Sequence, residues 1–366
     1  MSQSGRTRVE RLEQRIPVTV LGATGLVGQR LIALLEGHPW FEVAGVAASE
    51  RNLGARYGDA VRWKVAESEP PDDVLNLHLS APEPGDALPG RAVFSALPTS
   101  EAQVIEPRFA EAGALVFSNA SAYRMADDVP LIVPEINPDH LASLSVQRAH
   151  RGWRGALVTN ANCSTIGLTL ALAPLHQHFG LRRVLVTTLQ AASGAGYPGV
   201  ASLDLLDNVI PFIGSEEEKM ESETRKILGG WVNGAFAPLG EDVRLSATCN
   251  RVAVRDGHLE TVSVELGVKA SADDLLQVWR DFTAEPQRLG LPTAPSPVLI
   301  YREEEDRPQP LRDRLAGGGM AVTIGRLRPC DVLNYKFVCL SHNTIRGAAG
   351  AALLNAELAY ARGLLS

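Results

Sequence analysis

The chain has 366 residues, of which 45% are hydrophobic and 21% charged, with a formal net charge of -7. That length exceeds what one hydrophobic core usually supports and predicts two domains, while the acidic balance argues against a general nucleic-acid binder. No apolar run nears the ~20 residues of a membrane span, and the polar stretch Ser2 to Arg15 lacks the apolar centre of an export signal, so the expectation is a cytoplasmic protein with a frayed tail.

In chain order, Pro17 to Leu21 reads as a short apolar strand, followed by a glycine turn and a helix from Val27 to Leu35. Further strands are predicted at Phe41 to Ala47, Ala92 to Leu97 and Ala114 to Ser118, with a helix over Glu101 to Glu111. This alternation predicts an α/β fold with a Rossmann-type, doubly wound parallel sheet. From about Cys163 the texture changes. A long helix, Ser164 to Phe179, carries the aliphatic stretch Leu168 to Leu175 and leads into strands at Val184 to Leu189, Arg251 to Val254 and Val262 to Leu266. That mixture predicts a second, α+β domain with a largely antiparallel sheet. Glu303 to Asp306 reads as a solvated loop. Asn343 to Leu364 reads as a helix rich in Gly and Ala, able to approach other backbone closely and pack back on the first domain. The expected division is therefore 1–160 with 343–366 as the dinucleotide-binding domain, and 161–342 as a catalytic and dimerisation domain.

Gly22-Ala23-Thr24-Gly25-Leu26-Val27-Gly28 sits directly after a strand and opens a helix. Glycines let backbone turn tightly beside a pyrophosphate, and the helix start offers free N–H groups and a positive dipole end. The spacing, G-x-x-G-x-x-G, departs from the commoner G-x-G-x-x-G. A purely structural turn is the competing reading; the strand-to-helix context favours a dinucleotide. The second strand ends in Ser49-Glu50-Arg51. Ser49 and Arg51 suit the 2′-phosphate of NADP, with Glu50 pointing away, although Arg51 also fits a solvated charge. A short-chain dehydrogenase needs Tyr-x-x-x-Lys, and none of the six tyrosines has a lysine four residues on.

The four cysteines, Cys163, Cys249, Cys330 and Cys339, form no C-x-x-C pair, so no metal site is expected. Cys163 stands in Asn160-Ala161-Asn162-Cys163-Ser164-Thr165, a polar setting at a helix start. There the helix dipole is expected to lower the thiol pKa. The other three cysteines have the neighbours of inert core residues. His176 and His178 fall on different helix faces, whereas His258 follows Gly257 at a turn after the Arg251 strand, where it can project into a cleft and partner a thiolate, although a lone histidine is more often structural.

These motifs resemble the aspartate-semialdehyde dehydrogenases of archaea and fungi. The resemblance runs nearly end to end: GATGLVGQ from Gly22, AASER ending at Arg51, NASAYRM from Asn119 and NCST around Cys163. It continues through QAASGAGYPG from Gln190, LDNVIPFIGSEEEKMESET from Leu206, RVAVRDGH from Arg251 and SHNTIRGAAG near the end. Departures at Ala161 and Ala253, where proline is usual, and at Leu259, where threonine is expected, replace no group with a chemical role.

The resemblance implies a set of roles. Cys163 is the nucleophile, Gln190 orients the bound intermediate and His258 is the general acid/base. Arg251 grips the substrate carboxylate, Glu216 receives its amino group, and Lys219 and Arg124 hold phosphate, with Asn162 beside them. Cofactor contacts fall at Gly22, Thr24, Gly25, Leu26, Val27, Ser49, Arg51, Ser95, Ser193, Gly194, Asn343 and Thr344. The remaining charges of Glu216 to Glu223 are expected to form a solvated helix face. The implied reaction is NADP-dependent reduction of 4-phospho-L-aspartate to L-aspartate 4-semialdehyde through a cysteinyl thioester, by a homodimer or homotetramer with no nucleic-acid or membrane partner. Malonyl-CoA or another acyl-CoA reductase on the same scaffold is the rival, and N-acetyl-glutamyl-phosphate reductase fits these motifs less well. A non-catalytic nucleotide-binding regulator is the rival from another class.

Overall fold

The computed structural model describes residues 11–365; most of the tail expected from Ser2 to Arg15, and the side chain of Glu50, lie outside the described residues. Strands β1 (Ile16–Leu21), β2 (Phe41–Ala47), β3 (Leu79–Ser80), β4 (Ala92–Ser95), β5 (Leu115–Ser118), β6 (Leu131–Ile132) and β7 (Ala156–Asn160) form one sheet. Its order is β3-β2-β1-β4-β5-β7-β6 and every pairing is parallel. β4, β5 and β7 are buried at every position, as strands covered on both faces must be. The order reverses between β1 and β4, and the crevice at such a reversal is where doubly wound sheets bind ligands.

The second sheet holds β8 (Leu181–Gln190), β9 (Val209–Ile210), β12 (Arg244–Val252), β13 (His258–Leu266), β14 (Leu299–Arg302), β15 (Val322–Pro329) and β16 (Tyr335–Ser341), in the order β14-β15-β16-β13-β8-β12-β9. A separate hairpin joins β10 (Gly230–Val232) to β11 (Ala235–Ala237). The sheet is mixed rather than largely antiparallel, because β8 runs parallel to β12 and β14 to β15. The strand expected over Arg251 to Val254 is instead the end of β12, and His258 opens β13.

The helix Cys163–Phe179 is buried at every residue from Ser164 to Leu175. A helix apolar all round needs cover on all sides. It rests on β13, β16 and β8, and is flanked by the helices Glu216–Leu228 and Ala272–Arg280 and by the turn Ile345–Ala349. Its leucines 168, 170, 172 and 175 are wholly buried, each contributing about 2 kcal/mol of apolar transfer. The expected C-terminal helix divides into the wide turn Ile345–Ala349 and the helix Gly350–Ala361, which packs against β4, β5 and β7 of the first sheet.

Candidate active site

The glycine turn is built by close approach. Gly22 has φ +71, and a Cβ there would stand 2.6 Å from Ala96 O; a Cβ on Gly28 would stand 2.2 Å from Gly22 O. Neither position admits a side chain, so the first turn of helix Leu26–Leu35 lies tight against β1. Gly25 is the N-cap and is exposed, Leu26 and Val27 open the helix, and Thr24 O accepts from Gln29 Nε2 at 2.8 Å. Ser95 ends β4 beside this turn; Ser49 and Arg51, beyond β2, are exposed. A cleft runs from Leu26 and Arg30 to Ser193, Tyr197 and Arg255 of the second domain.

Three neighbouring strands bring the chemistry together. Gln190 and Arg251 are register partners at the ends of β8 and β12, and β13, on the other side of β8, starts at His258. Cys163 begins the buried helix that lies on these strands. Its Sγ is 3.1 Å from His258 Nε2. His258 Nδ1 accepts the Ala191 backbone N–H at 3.0 Å, so the neutral ring carries its proton on Nε2, facing the sulfur. Burial, then Arg251 and His342, push the His258 pKa down to about 3. The imidazole therefore stays neutral and acts as a donor.

Asn162 caps the helix: its Oδ1 accepts from the amides of Ser164 and Thr165 at 2.9 and 3.3 Å, and its Nδ2 donates to Glu216 Oε1 at 2.8 Å. This cap does not make Cys163 acidic. The residue is half-buried, and burial, then the Glu216 carboxylate, push its thiol up to about 12 against the pull of Arg124 and Arg251. Desolvation of the charged sulfur outweighs the helix dipole, which reverses the expectation drawn from position alone. Arg251 Nη1 donates to Ala191 O at 2.8 Å, and Gln190 Nε2 donates to Thr188 Oγ1 at 3.3 Å. A Cβ on Gly194 would stand 2.6 Å from Arg251 Nη1 and 3.0 Å from His258 Cε1, so the Ala192–Ala195 turn lies flat over both.

Asn343 spans the turn: Nδ2 donates to Ser193 Oγ and Oδ1 accepts the Gly257 N–H, each at 2.8 Å. Thr344 is buried, 3.4 Å from His342 Nδ1. Gly347 comes so close to the nucleophile that a Cβ would meet Cys163 Cβ at 2.6 Å. Lys219 is half-buried one turn beyond Glu216, and Arg124 is buried, its Nη1 donating to Glu223 Oε1 at 3.0 Å.

The acidic helix Glu216–Leu228 is not the solvated face expected. Glu217 and Glu221 accept the Cys249 and Ala247 amides of β12, at 2.8 and 3.0 Å, along a stretch of that strand with no neighbour but β8. Glu223 is buried. The signal for Glu223 was present in the sequence: it lies seven residues beyond Glu216, on the same helix stripe. Among the described residues one group of metal-ligand type, Glu67, Asp256 and His342, closes to within 4.8 Å. Arg30 holds Glu67 at 2.8 Å and Arg255 stands 3.5 Å from Asp256, so both carboxylates already face cations.

Residues 17–144 match the family model described as semialdehyde dehydrogenase, NAD binding domain, and 172–346 the one described as semialdehyde dehydrogenase, dimerisation domain. The aspartate-semialdehyde dehydrogenase of Archaeoglobus fulgidus is 51% identical over 344 residues, covering 94% of this chain and 98% of the relative. That of Cryptococcus neoformans is 47% identical over 363 residues, covering 96% and 98%. A crystal structure of the Candida albicans aspartate-semialdehyde dehydrogenase with NADP superposes with a TM-score of 0.88 at 41% identity, covering 96% of this chain and 100% of that one. Agreement over both domains, with a thiol and an imidazole in contact where the two meet, makes the chain a member of the aspartate-semialdehyde dehydrogenase family.

Proposed function

We propose that the chain catalyses NADP-dependent reductive dephosphorylation of 4-phospho-L-aspartate to L-aspartate 4-semialdehyde through a thioester on Cys163. The observation that carries this reading is the 3.1 Å contact between Cys163 Sγ and His258 Nε2, with Gln190, Arg251 and the Asn162–Glu216 pair around it. Arg251 binds the substrate α-carboxylate as a fork, Glu216 takes the amino group, and Arg124 and Lys219 hold the phosphate. The Cys163 sulfur attacks the acyl carbon, the C–O bond to phosphate breaks, and the thiol proton leaves on the departing phosphate oxygen. Gln190 and the amides of the helix start orient the acyl group. His258 Nε2–H donates to the sulfur as it departs as thiolate from the tetrahedral adduct.

The glycine turn from Gly22 to Gly28 suits the pyrophosphate and the exposed Ser49 and Arg51 suit a 2′-phosphate, so these residues fit NADP. Ser95, Ser193, Gly194, Asn343 and Thr344 complete its contacts. The cofactor, when bound, supplies the hydride. Gly194 leaves the room a flat ring needs, since a side chain there would strike Arg251 and His258.

The reading divides the chain into 1–160 with 343–366 for the nucleotide and 161–342 for catalysis and association. It places the protein in the cytoplasm, where the thiol stays reduced, as a homodimer or homotetramer. The exposed Leu203, Leu206, Val209 and Phe212 support a partner on that flank. Among the described residues no helix is long and apolar enough to cross a membrane.

The test is NADP reduction by aspartate semialdehyde with and without phosphate, run beside NAD and malonyl-CoA. Wild type is expected to need phosphate and prefer NADP, and Cys163→Ala to lose turnover while retaining its fold and NADP binding. Turnover without Cys163, or a preference for the acyl-CoA, refutes the assignment.

A further inference from the structure

Glu223 is 1% exposed and makes two bonds. Oε1 accepts from Arg124 Nη1 at 3.0 Å, and Oε2 accepts the Asn162 backbone N–H at 2.6 Å. The two donors lie 99 and 61 residues away in sequence. One is the arginine assigned to phosphate, the other the residue that caps the nucleophile helix. Arg124 Nη2 donates to Asn119 O at 2.7 Å, while its Nε is buried with no partner among the described residues. Glu223 and Asn119 thus take one N–H each from Nη1 and Nη2, so three of the five guanidinium donors, Nε–H and one on each Nη, are left to the ligand. Lys226, three residues on along the same helix, donates from Nζ to the carbonyls of Arg124, Ala126 and Val129 at 2.8, 2.9 and 2.9 Å, pinning the loop that carries the arginine.

We propose that Glu223 is a positioning residue: one carboxylate fixes both the anion-facing edge of Arg124 and the start of the Cys163 helix. This rests on the reading of Arg124 as a phosphate holder. Both partners donate, so the position needs two acceptors. Glutamine offers one and turns an N–H toward the other donor. Coupling the phosphate site to the nucleophile through one side chain keeps the leaving group and the attacking sulfur in fixed relation, where small displacements are costly.

The experiment measures phosphate-dependent NADP reduction. Glu223→Gln is expected to raise KM for inorganic phosphate about tenfold or more, as loss of a charge-assisted bond implies. It should also lower kcat, and leave KM for NADP within about twofold. In an Arg124→Ala background the same change should no longer move KM for phosphate but should still lower kcat, since the Asn162 arm persists. A purely structural glutamate would lower Tm and the active fraction without separating the two KM values. That result, or KM effects that simply add in the double variant, overturns the proposal. Glu223→Asp, which keeps the charge but is too short to reach both partners, must show the same split; a folded Glu223→Asp with unchanged KM and kcat also overturns it. Wild-type turnover without phosphate dependence overturns both this proposal and the reaction assignment, whereas normal wild-type turnover with insensitive variants overturns only this one.

Discussion

Cys163 in the ligand-free protein is expected to alkylate slowly, and with a pH dependence that free cysteine does not show. Burial and Glu216 lift its pKa from the ordinary 9.0 to about 12. At pH 8 about one thiol in ten thousand is then ionised, roughly a thousandfold fewer than at the ordinary value. The assay is iodoacetamide labelling read peptide by peptide in the mass spectrometer between pH 7 and pH 10. The Cys163 rate should climb about tenfold per pH unit without levelling. Limited access alone would slow the reaction but not keep that slope. Cys330 is the internal control: backbone N–H groups of Leu333 and Val332 lower its pKa, so it labels first and levels off. Glu216→Gln removes the second-largest cause and should speed Cys163 labelling. A Cys163 rate that reaches a plateau below pH 9, or that exceeds the Cys330 rate at pH 8, refutes the argument.

Other consequences are as direct. Burial lifts the Glu106 carboxyl from 4.5 to about 7, while Ser118 Oγ donates to it at 2.6 Å. The folded state holds this proton more tightly than the unfolded one, so the stability it lends is full below pH 4.5 and is lost as pH rises to 7. Glu106→Gln should flatten that slope and gain up to about 3 kcal/mol relative to wild type between pH 4.5 and pH 8; urea titrations showing equal slopes refute it. Glu135 binds the wholly buried Arg346 through both oxygens, at 2.8 and 2.6 Å. Glu135→Ala strands that cation and should cost about 3–5 kcal/mol in urea titrations; a loss below about 1 kcal/mol contradicts the pairing argument. Gly347→Ala drives a methyl against Cys163 and should cut kcat about a hundredfold while costing only about 1–3 kcal/mol of stability. A kcat within twofold of wild type would show the contact to be slack.

Much of the first domain was legible because its signals are local. β2 falls at Phe41–Ala47 as expected, and the helix after the glycine turn starts within one residue of its expected place. The second domain was less legible because its pairings are long-range. β8 lies beside β12 in parallel register, Gln190 opposite Arg251, across more than fifty residues of intervening chain. No local pattern encodes that neighbour. β12 was read only at its end although Arg244 to Asn250 alternate outward and inward positions, the pattern of a strand with one wet face. The resemblance assigned Cys163, His258, Gln190, Arg251 and Glu216 to one site; adjacent strands bring Gln190, Arg251 and His258 together, and two helix starts bring Cys163 and Glu216. Glu223 was missed because a run of acidic residues reads as a wet surface, and its fate is decided by Arg124, 99 positions away. The acidity of Cys163 was misjudged for a related reason: the helix start is visible in the sequence, but the buried pocket and Glu216 are supplied by the rest of the fold.

The stretch after residue 343 has a bearing on how the protein comes into being. Asn343 ties the loop over His258, Arg346 neutralises Glu135, Gly347 braces Cys163, and the helix Gly350–Ala361 covers the core of the first sheet. All of this is synthesised after every strand of both sheets. A chain without it would leave that face of the first sheet uncovered and remove the contacts that brace Cys163 and the loop over His258.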